Sequence, residues 1–309
     1  EIDRKTNVRV QLQGPIYRDK LSFFVNYRDR NEKNHLNGIY RFNPSDYSDF
    51  ASLDPQQWYS EHTGDGSYVP MSFYDGYSAF AKLTFKPFAG FKVNLIYNRL
   101  DGVSGGYSHY LRYNPFGAAR YTEKTDTYTL LFNHTLSRSI FHELKLNHLD
   151  NSDRYSVYKD PLDARYVNDW YALNPGPGFA TGSQDKTHNS HRTKRLDVKY
   201  DFSWQVNTNH SLKTGFLLTE HDKDIREYQI VNRYRLSSLD RVRDTLRTPE
   251  GDIEKILYPY YAPEILHDST NYANVYRKKP QEFSAYLQDK MEFNDFVLNI
   301  GLRYDRFDP

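Results

Sequence analysis

An alternation of apolar and polar residues with a period of two restarts about ten times along this chain and constrains its fold more than any other feature. In one segment, every second residue from Leu196 to Val206 is apolar and each residue between them is polar. Because successive side chains of a β-strand point to opposite faces, this segment predicts a strand with one apolar and one polar face. Strands of this kind, joined alternately by very short and very long connections, are typical of a membrane-spanning β-barrel.

The alternating segments pair into five predicted hairpins. Their strands are 6–13 with 20–29, 77–86 with 91–99, 126–136 with 140–149, 194–206 with 210–221, and 281–293 with 296–306. We place the first turn at Gly14–Pro15 and expect a bulge to absorb Asp289, which falls in an apolar register. The long connections cover 31–76, 100–125, 150–193 and 222–280, and helices are predicted within them at 44–59 and 237–257.

The composition fits this prediction and excludes several classes of protein. The 309 residues are 38% hydrophobic, with a mean hydropathy of -0.85, yet they include 28 Tyr and 19 Phe. Strands with one face to lipid and one to water reconcile a polar average with many aromatic residues. No apolar run reaches the length of a transmembrane helix. The net charge of +1 argues against a general nucleic-acid binder, and the absence of Cys excludes disulfides and thiolate chemistry.

Two stretches resemble a known family. The first, QGPI at 13–16 followed by DKLSFFV at 19–25, resembles the first barrel hairpin after the plug of TonB-dependent outer-membrane receptors, in the branch with a carboxypeptidase-regulatory-like N-terminal domain. The second, FSAYLQDK at 283–290 through LNIGLRYD at 298–305, is similar to a mid-barrel hairpin of the same branch. The resemblance implies an all-β fold, an antiparallel transmembrane β-barrel with long extracellular loops and short periplasmic turns, in the bacterial outer membrane.

The family's barrel has about 22 strands, and this chain supplies about ten, too few to close a barrel of that diameter. We therefore expect residues 1–309 to form one partial barrel domain of a longer polypeptide, with the plug domain absent from this chain. The resemblance implies a receptor and transporter segment for energy-coupled uptake of a scarce nutrient of unknown identity. Its implied partners are outer-membrane lipid, its own plug and the TonB energy-coupling protein; no nucleic acid, cofactor, bound metal or enzymatic activity is expected.

Aromatic residues in the long connections are the candidate ligand-binding residues, because Tyr and Trp offer a large contact area at small entropic cost. They are Trp58, Tyr59, Tyr68, Tyr107, Tyr110, Tyr113, Trp170, Tyr171, Tyr258, Tyr260 and Tyr261. Packing of the loops against themselves is the alternative role for these residues. Aromatic residues near strand ends are instead predicted to form the girdle at the lipid interface. They are Tyr27, Phe85, Phe88, Phe91, Tyr97, Trp204 and Tyr304.

Other motifs admit functional interpretations that we consider weaker. The G-x-S-x-G pattern at 102–106 is expected in a flexible loop, not at the strand-to-helix turn of a hydrolase. His188 and His191 with Asp185 could bind a metal on a helix but are expected in a solvated loop. A closed ten-stranded outer-membrane protease, with His221 and Asp222 or Asp224 at its rim, is one alternative function. A soluble all-β surface binding protein is the other.

Overall fold

One large antiparallel sheet dominates the fold. The computed structural model describes residues 4–50, 52–172, 178–236, 242–248, 251–257 and 260–309. The large sheet has the strand order β1-β2-β7-β8-β9-β10-β11-β12-β18-β19, and β17 pairs with β12 beside β18. The strands of the chain are β1 (Arg4–Tyr17), β2 (Leu21–Lys33), β3 (Asn37–Ile39), β4 (Ser48–Asp49), β5 (Tyr59–Ser60), β6 (Tyr68–Pro70), β7 (Phe73–Phe85), β8 (Phe91–Gly105), β9 (Arg120–Thr135), β10 (Ile140–Ser156), β11 (Thr187–Gln205), β12 (His210–Gln229), β13 (Val231–Asn232), β14 (Val242–Thr248), β15 (Gly251–Leu257), β16 (Pro263–Glu264), β17 (Ala273–Lys278), β18 (Gln281–Glu292) and β19 (Val297–Asp308).

The ten long strands lie side by side in the order in which they occur in the sequence, so each pairs with the long strands that precede and follow it. The five predicted hairpins are therefore confirmed as β1–β2, β7–β8, β9–β10, β11–β12 and β18–β19. The all-β, antiparallel fold class is confirmed as well. Short 3₁₀ helices lie only in the connections, at Pro55–Gln57, Pro115–Gly117 and Asp169–Ala172, as far as the described residues go.

No helix in the described part of the chain is long and apolar enough to cross a membrane.

Several strands extend well beyond the segments that the alternation predicts. β11 has 19 residues and β12 has 20, whereas about 9–11 residues suffice to cross a bilayer. The alternation stops at the lipid boundary because beyond it both faces meet water, but the backbone ladder continues. The long connections accordingly shrink to 34–72, 106–119, 157–186 and 230–272.

Four local predictions are wrong. The first turn lies at 18–20, with Gly14 and Pro15 still paired to β2, and the register through Asp289 runs without a bulge. Residues 44–59 contain β4 and a 3₁₀ helix instead of the predicted α-helix. The second predicted helix, at 237–257, is replaced by the β14–β15 hairpin, while 237–241 and 249–250 lie outside the described residues. Spaced apolar residues alone do not distinguish a short helix from a short hairpin.

The register aligns the apolar faces into rows that cross the sheet. The central row is aliphatic and consists of Leu83, Leu95, Leu130, Leu146, Val198 and Leu218. Aromatic residues flank it on both sides, with Phe85, Phe132, Tyr200 and Phe216 in one row towards the turns and with Tyr97 and Tyr128 in the next row towards the loops. Tyr27 lies one row further towards the loops, opposite Ala79. An aliphatic belt between two aromatic rows is the pattern of a lipid-facing barrel surface.

Ion pairs on the same outer face mark where the apolar belt ends on the loop side. The pairs are Arg99 with Asp126 at 3.2 Å, Arg192 with Asp150 at 2.7 Å, and Arg277 with Asp222 at 2.5 Å. The opposite face is mainly polar, although it also carries a few apolar residues, including Phe24, Phe80, Ile96, Leu131 and Leu217. There Asp197 accepts hydrogen bonds from Arg195, Asn147 and Thr219, which lie on its own and both neighbouring strands. Asp197 thus pairs with a charge on its own strand and bonds to polar side chains of both neighbouring strands, as expected for a hydrated lumen.

The sheet is open within the described residues, because β1 pairs only with β2 and β19 only with β18. A closed ten-stranded barrel would require β1 to pair with β19. The alternative of a closed ten-stranded protease is therefore wrong.

The buried apolar residues lie in the loops and not in the sheet. Among the described residues they are Phe42, Tyr47, Met71, Ala119, Tyr166, Ala180 and Ile230. The sheet, by contrast, leaves large apolar side chains exposed on its outer face, including Leu12, Leu95 and Leu302. Lipid covers such a face in a barrel, so the protein needs its own core only where the loops rise above the membrane.

A charge placed on the outer face should be far more damaging than one placed on the inner face at the same depth. Leu83 and Thr84 are neighbours on β7, with Leu83 in the aliphatic row and Thr84 on the polar face. We expect Leu83→Arg to destabilise the barrel by about 2–4 kcal/mol, the usual cost of Arg at the bilayer midplane. Thr84→Arg is the matched control and should assemble nearly normally.

The measurement is the amount of each variant that assembles in the outer membrane of producing cells, together with urea unfolding in lipid vesicles. Equal loss for both variants would contradict the assignment of the two faces.

Candidate functional site

Backbone hydrogen bonds join the four long connections into one body above the sheet. The bonds between them are Phe42 N to Tyr113 O at 2.9 Å, Ala180 N to Tyr110 O at 2.7 Å, Ser183 N to Pro44 O at 2.6 Å, and Ile230 N to Lys186 O at 2.9 Å. Each connection thereby contacts at least one other. We call this assembly of 34–72, 106–119, 157–186 and 230–272 the loop body.

An open cleft of about 740 Å³ lies in the loop body, within the size range of small-molecule sites. It is lined by Ser108, Tyr110, Leu111, Asp169, Trp170, Ala172, Gly182, Ser183, Gln184 and Asp185. Tyr110 comes from one connection and Trp170 from another, and the Tyr110 hydroxyl donates to the carbonyl of Ala172 at 3.2 Å. Both rings keep about half of their surface exposed, at 44% and 54%.

A buried lysine supports the wall of the cleft. The Lys186 side chain is only 3% exposed, and its Nζ lies 3.0 Å from the Asp169 Oδ1, whose side chain is 74% exposed. The same ammonium donates to the hydroxyl of Ser183 and to both oxygens of Gln184, at 3.2–3.4 Å. Burial lowers the pKa of Lys186, and the nearby Asp169 carboxylate opposes that shift.

Two tyrosines complete the surroundings of Lys186. Its Nζ lies 5.8 Å from the ring centre of Tyr166 and 5.6 Å from that of Tyr261, distances typical of cation–π contacts. Burial raises the pKa of Tyr166 to about 12 and raises that of Tyr261 as well. Lys186 is thus enclosed by residues of two connections and holds Asp169 at the cleft.

Of the predicted ligand-binding aromatics, the structure brings Tyr110 and Trp170 together in the cleft. Beside them, Tyr113 packs edge-on against Phe179 at 4.8 Å between ring centres, and the Tyr107 hydroxyl lies 3.1 Å from His109 Nδ1. The carbonyl of Tyr171 lies against Gly182, which lines the cleft.

The other predicted aromatics lie away from the cleft. Trp58 Nε1 donates to the carbonyl of Ser52 at 2.8 Å, and Tyr59 packs against Tyr47. Tyr68 is exposed on β6, and Tyr260 packs edge-on against Tyr234. Tyr258 lies outside the described residues. Packing of the loops against themselves therefore accounts for several of the predicted residues.

Sequence reasoning missed the polar residues of the cleft, which come from two short stretches. Asp169 is the first residue of the 3₁₀ helix Asp169–Ala172. The side chain of the preceding Asn168 accepts a hydrogen bond from the backbone N–H of Trp170 at 3.1 Å. The other stretch, 182–186, precedes β11. A Ser, Gln, Asp, Lys run before a strand carries no signal that distinguishes it from a solvated loop.

The weaker motifs do not form sites. His188 and His191 lie in β11, not in a loop, where His188 contacts the carbonyl of Lys159 and His191 contacts Asp153 and Glu227. Across the described residues, no three His, Asp or Glu side chains form a group that could hold a metal ion.

The proposed protease pair is not formed either, because His221 pairs with Glu282 at 3.2 Å while Asp222 and Asp224 pair with arginines. In the G-x-S-x-G segment, Gly102 and Ser104 lie in β8 and are paired on both sides, so the segment forms neither the expected flexible loop nor a nucleophile turn.

A methyl group at Gly182 should disrupt the loop body. A Cβ there would lie 2.5 Å from the carbonyl oxygen of Tyr171 and 2.8 Å from that of Asp46, both backbone atoms. We expect Gly182→Ala to separate these connections and increase the rate of proteolysis within the loops. Gly106→Ala is the control, because nothing lies within 4 Å of its Cβ position. Limited proteolysis of the folded protein measures the effect, and equal rates for the two variants would contradict this packing.

Removing the exposed partner of the Lys186–Asp169 pair should cost more stability than removing the buried one. Asp169→Ala leaves a buried ammonium without its carboxylate, a loss of about 2 kcal/mol for a hydrogen bond to a charged group. Lys186→Met keeps much of the volume and leaves Asp169 exposed to water, so its cost should be smaller. Hydrogen exchange of the amides of 178–186 measures both effects. A larger effect of Lys186→Met than of Asp169→Ala would contradict the assignment of Lys186 as the buried partner of this pair.

Comparisons with known proteins agree with the fold. The family model described as TonB dependent receptor-like, beta-barrel matches residues 72–308. No curated protein sequence matches the chain. Solved structures with a similar fold include the outer membrane transporter YddB from Escherichia coli, which is 12% identical to this chain, with a TM-score of 0.53. The aligned region covers 98% of this chain and 34% of the YddB chain.

Two further structures are a mutant of the ferric enterobactin receptor PfeA from Pseudomonas aeruginosa and the siderophore receptor PiuA from Acinetobacter baumannii. Each is 12% identical to this chain, with a TM-score of 0.50. The aligned region covers 99% of this chain in both cases, 37% of the PfeA chain and 42% of the PiuA chain. At this identity the likeness shows the fold alone. The chain spans between a third and a half of the length of all three structures.

Proposed function

This chain belongs to the TonB-dependent receptor-like β-barrel family, and on that premise we propose that it is the part of an outer-membrane receptor that captures a scarce nutrient for energy-coupled uptake. Membership confirms the expected outer-membrane location, and it supports a role as a transport receptor rather than an enzyme. The ligand and the coupling to energy are the proposal.

The observation that supports capture by the loops is the cleft itself. Four connections from one end of the sheet are hydrogen-bonded into one body, and their cleft presents Tyr110 and Trp170 half-exposed. The opposite end of the sheet carries only short turns, such as 86–90 and 206–209. In outer-membrane barrels the long loops face the outside, which is where a nutrient must first be bound.

We also propose that residues 1–309 are one partial barrel domain whose remaining strands and plug lie elsewhere in a longer polypeptide. Two unpaired sheet edges in lipid would each expose backbone groups without hydrogen bonds, at a cost of several kcal/mol per group. Further strands that pair with β1 and β19 remove this cost. The polar inner face, with Asp197 and its three donors, would then face the plug, and the TonB protein would act through that plug.

Growth of cells that lack this protein tests the proposed function. Each scarce nutrient is supplied as the limiting source in turn, including ferric siderophores, cobalamin, oligosaccharides and peptides. We expect a growth defect on one of them, because uptake across the outer membrane then depends on this receptor. The wild-type gene and the Gly106→Ala control should restore growth, whereas Gly182→Ala should not.

Loss of the TonB protein should reproduce the same defect. Normal growth on every nutrient, or uptake that persists without TonB, would contradict the proposed function.

A further inference from the structure

We infer that the cleft of the loop body takes a cationic ligand with an apolar portion, of which a short basic peptide is the simplest example. The inference rests on the proposed function, since it names the chemical class bound at the same site. It follows from the charges and the exposed rings that meet in the cleft.

The side chains that line the cleft carry negative charge without an accessible positive charge. Asp169 and Asp185 both line it, and none of the described lining residues is Lys, Arg or His. Lys186 is the cation that pairs with Asp169, but its side chain is only 3% exposed and does not line the cleft, and its ammonium is occupied by Ser183 and Gln184 as well. A ligand in the cleft therefore meets carboxylates and not the ammonium.

The second carboxylate is held by neutral donors. Asp185 accepts from the Tyr155 hydroxyl at 2.9 Å and from the Thr187 backbone N–H at 2.8 Å. These contacts fix its orientation and leave its charge in place. With two carboxylates and one buried ammonium, the wall has a net negative charge, which attracts a cation and repels an anion.

The aromatic rings suit the same ligand class. Trp170 is 54% exposed and Tyr110 44% exposed in the cleft, and Trp and Tyr faces attract guanidinium and ammonium groups. Leu111 and Ala172 add apolar surface beside them. A basic peptide can place its charge near the carboxylates and its aliphatic stem on the rings, because Lys and Arg side chains combine both properties.

The same charges disfavour a polyanionic metal chelate, which would have to approach two carboxylates without a cation to neutralise it. A neutral oligosaccharide could also stack on the rings and is the competing ligand class. The two classes differ in how binding responds to salt and to removal of a carboxylate.

Fluorescence of Trp170 tests the inference on the full-length protein in lipid nanodiscs, with Trp58→Phe as the background to remove the other loop tryptophan. The probes are tri-arginine, tri-serine, tri-glutamate and maltotriose. We expect tri-arginine to bind at least about ten-fold more tightly than the other three at low ionic strength, and its affinity to fall as salt rises.

Asp169→Asn and Asp185→Asn should each weaken tri-arginine binding several-fold. The amide introduced by Asp169→Asn retains an oxygen acceptor for Lys186, so the buried ammonium keeps a partner. Asp65→Asn is the control, since Asp65 is an exposed loop carboxylate that caps the N–H of Ser67 outside the cleft. Proteolysis rates of the loops verify that each variant is folded.

Tighter binding of tri-glutamate or maltotriose, binding insensitive to salt, or no binding of any peptide would overturn the inference. If nutrient uptake still depends on the protein in any of these cases, the proposed function stands and only the ligand class is wrong. Loss of uptake dependence would overturn both.

Discussion

The antiparallel backbone ladder is the constraint on which the rest of this structure depends. In lipid no water is present to bond the peptide groups, so each strand must satisfy them through its neighbours. Because the ladder is continuous from β1 to β19, it fixes the register, and the register aligns the aliphatic row from Leu83 to Leu218 on one face. The same alternation sends Asp197, Asn147 and Thr219 to the opposite face, where they bond to one another across strands.

The backbone ladder also positions the cleft, although the cleft lies outside the membrane. Strands such as β11 and β12 continue beyond the length that a bilayer requires and bring the starts of the connections close together. The connections can then pack on one another, which is where the buried Tyr47, Tyr166 and Ile230 are found. A barrel has no apolar interior of its own, so the loop body contains the only packed core of this chain within the described residues. Backbone hydrogen bonds between the connections hold the walls of the cleft together.

Two features of the cleft each carry a cost in free energy. Tyr110 and Trp170 leave apolar surface exposed, which is a cost until a ligand covers it. Lys186 places a charge in the interior, a cost that Asp169, Ser183, Gln184 and two tyrosine rings offset. The buried ammonium fixes the position of Asp169 at the surface of the cleft, so binding need not order that carboxylate. Preorganisation of this kind reduces the entropic cost of binding a ligand in the cleft.

The sequence by itself determined the hairpins, their order and the face of nearly every barrel side chain, because lipid on one side and water on the other impose a period of two. It did not reveal the strand segments beyond the membrane, such as Gly102–Gly105 of β8, since water on both faces removes that period. It named Tyr110 and Trp170 as candidates but could not separate them from Trp58 or Tyr59, because all four are aromatic residues in long connections between strands. Only the tertiary structure, which joins connections distant in sequence through bonds such as Ala180 N to Tyr110 O, decided which residues share a cleft with Asp169 and Asp185.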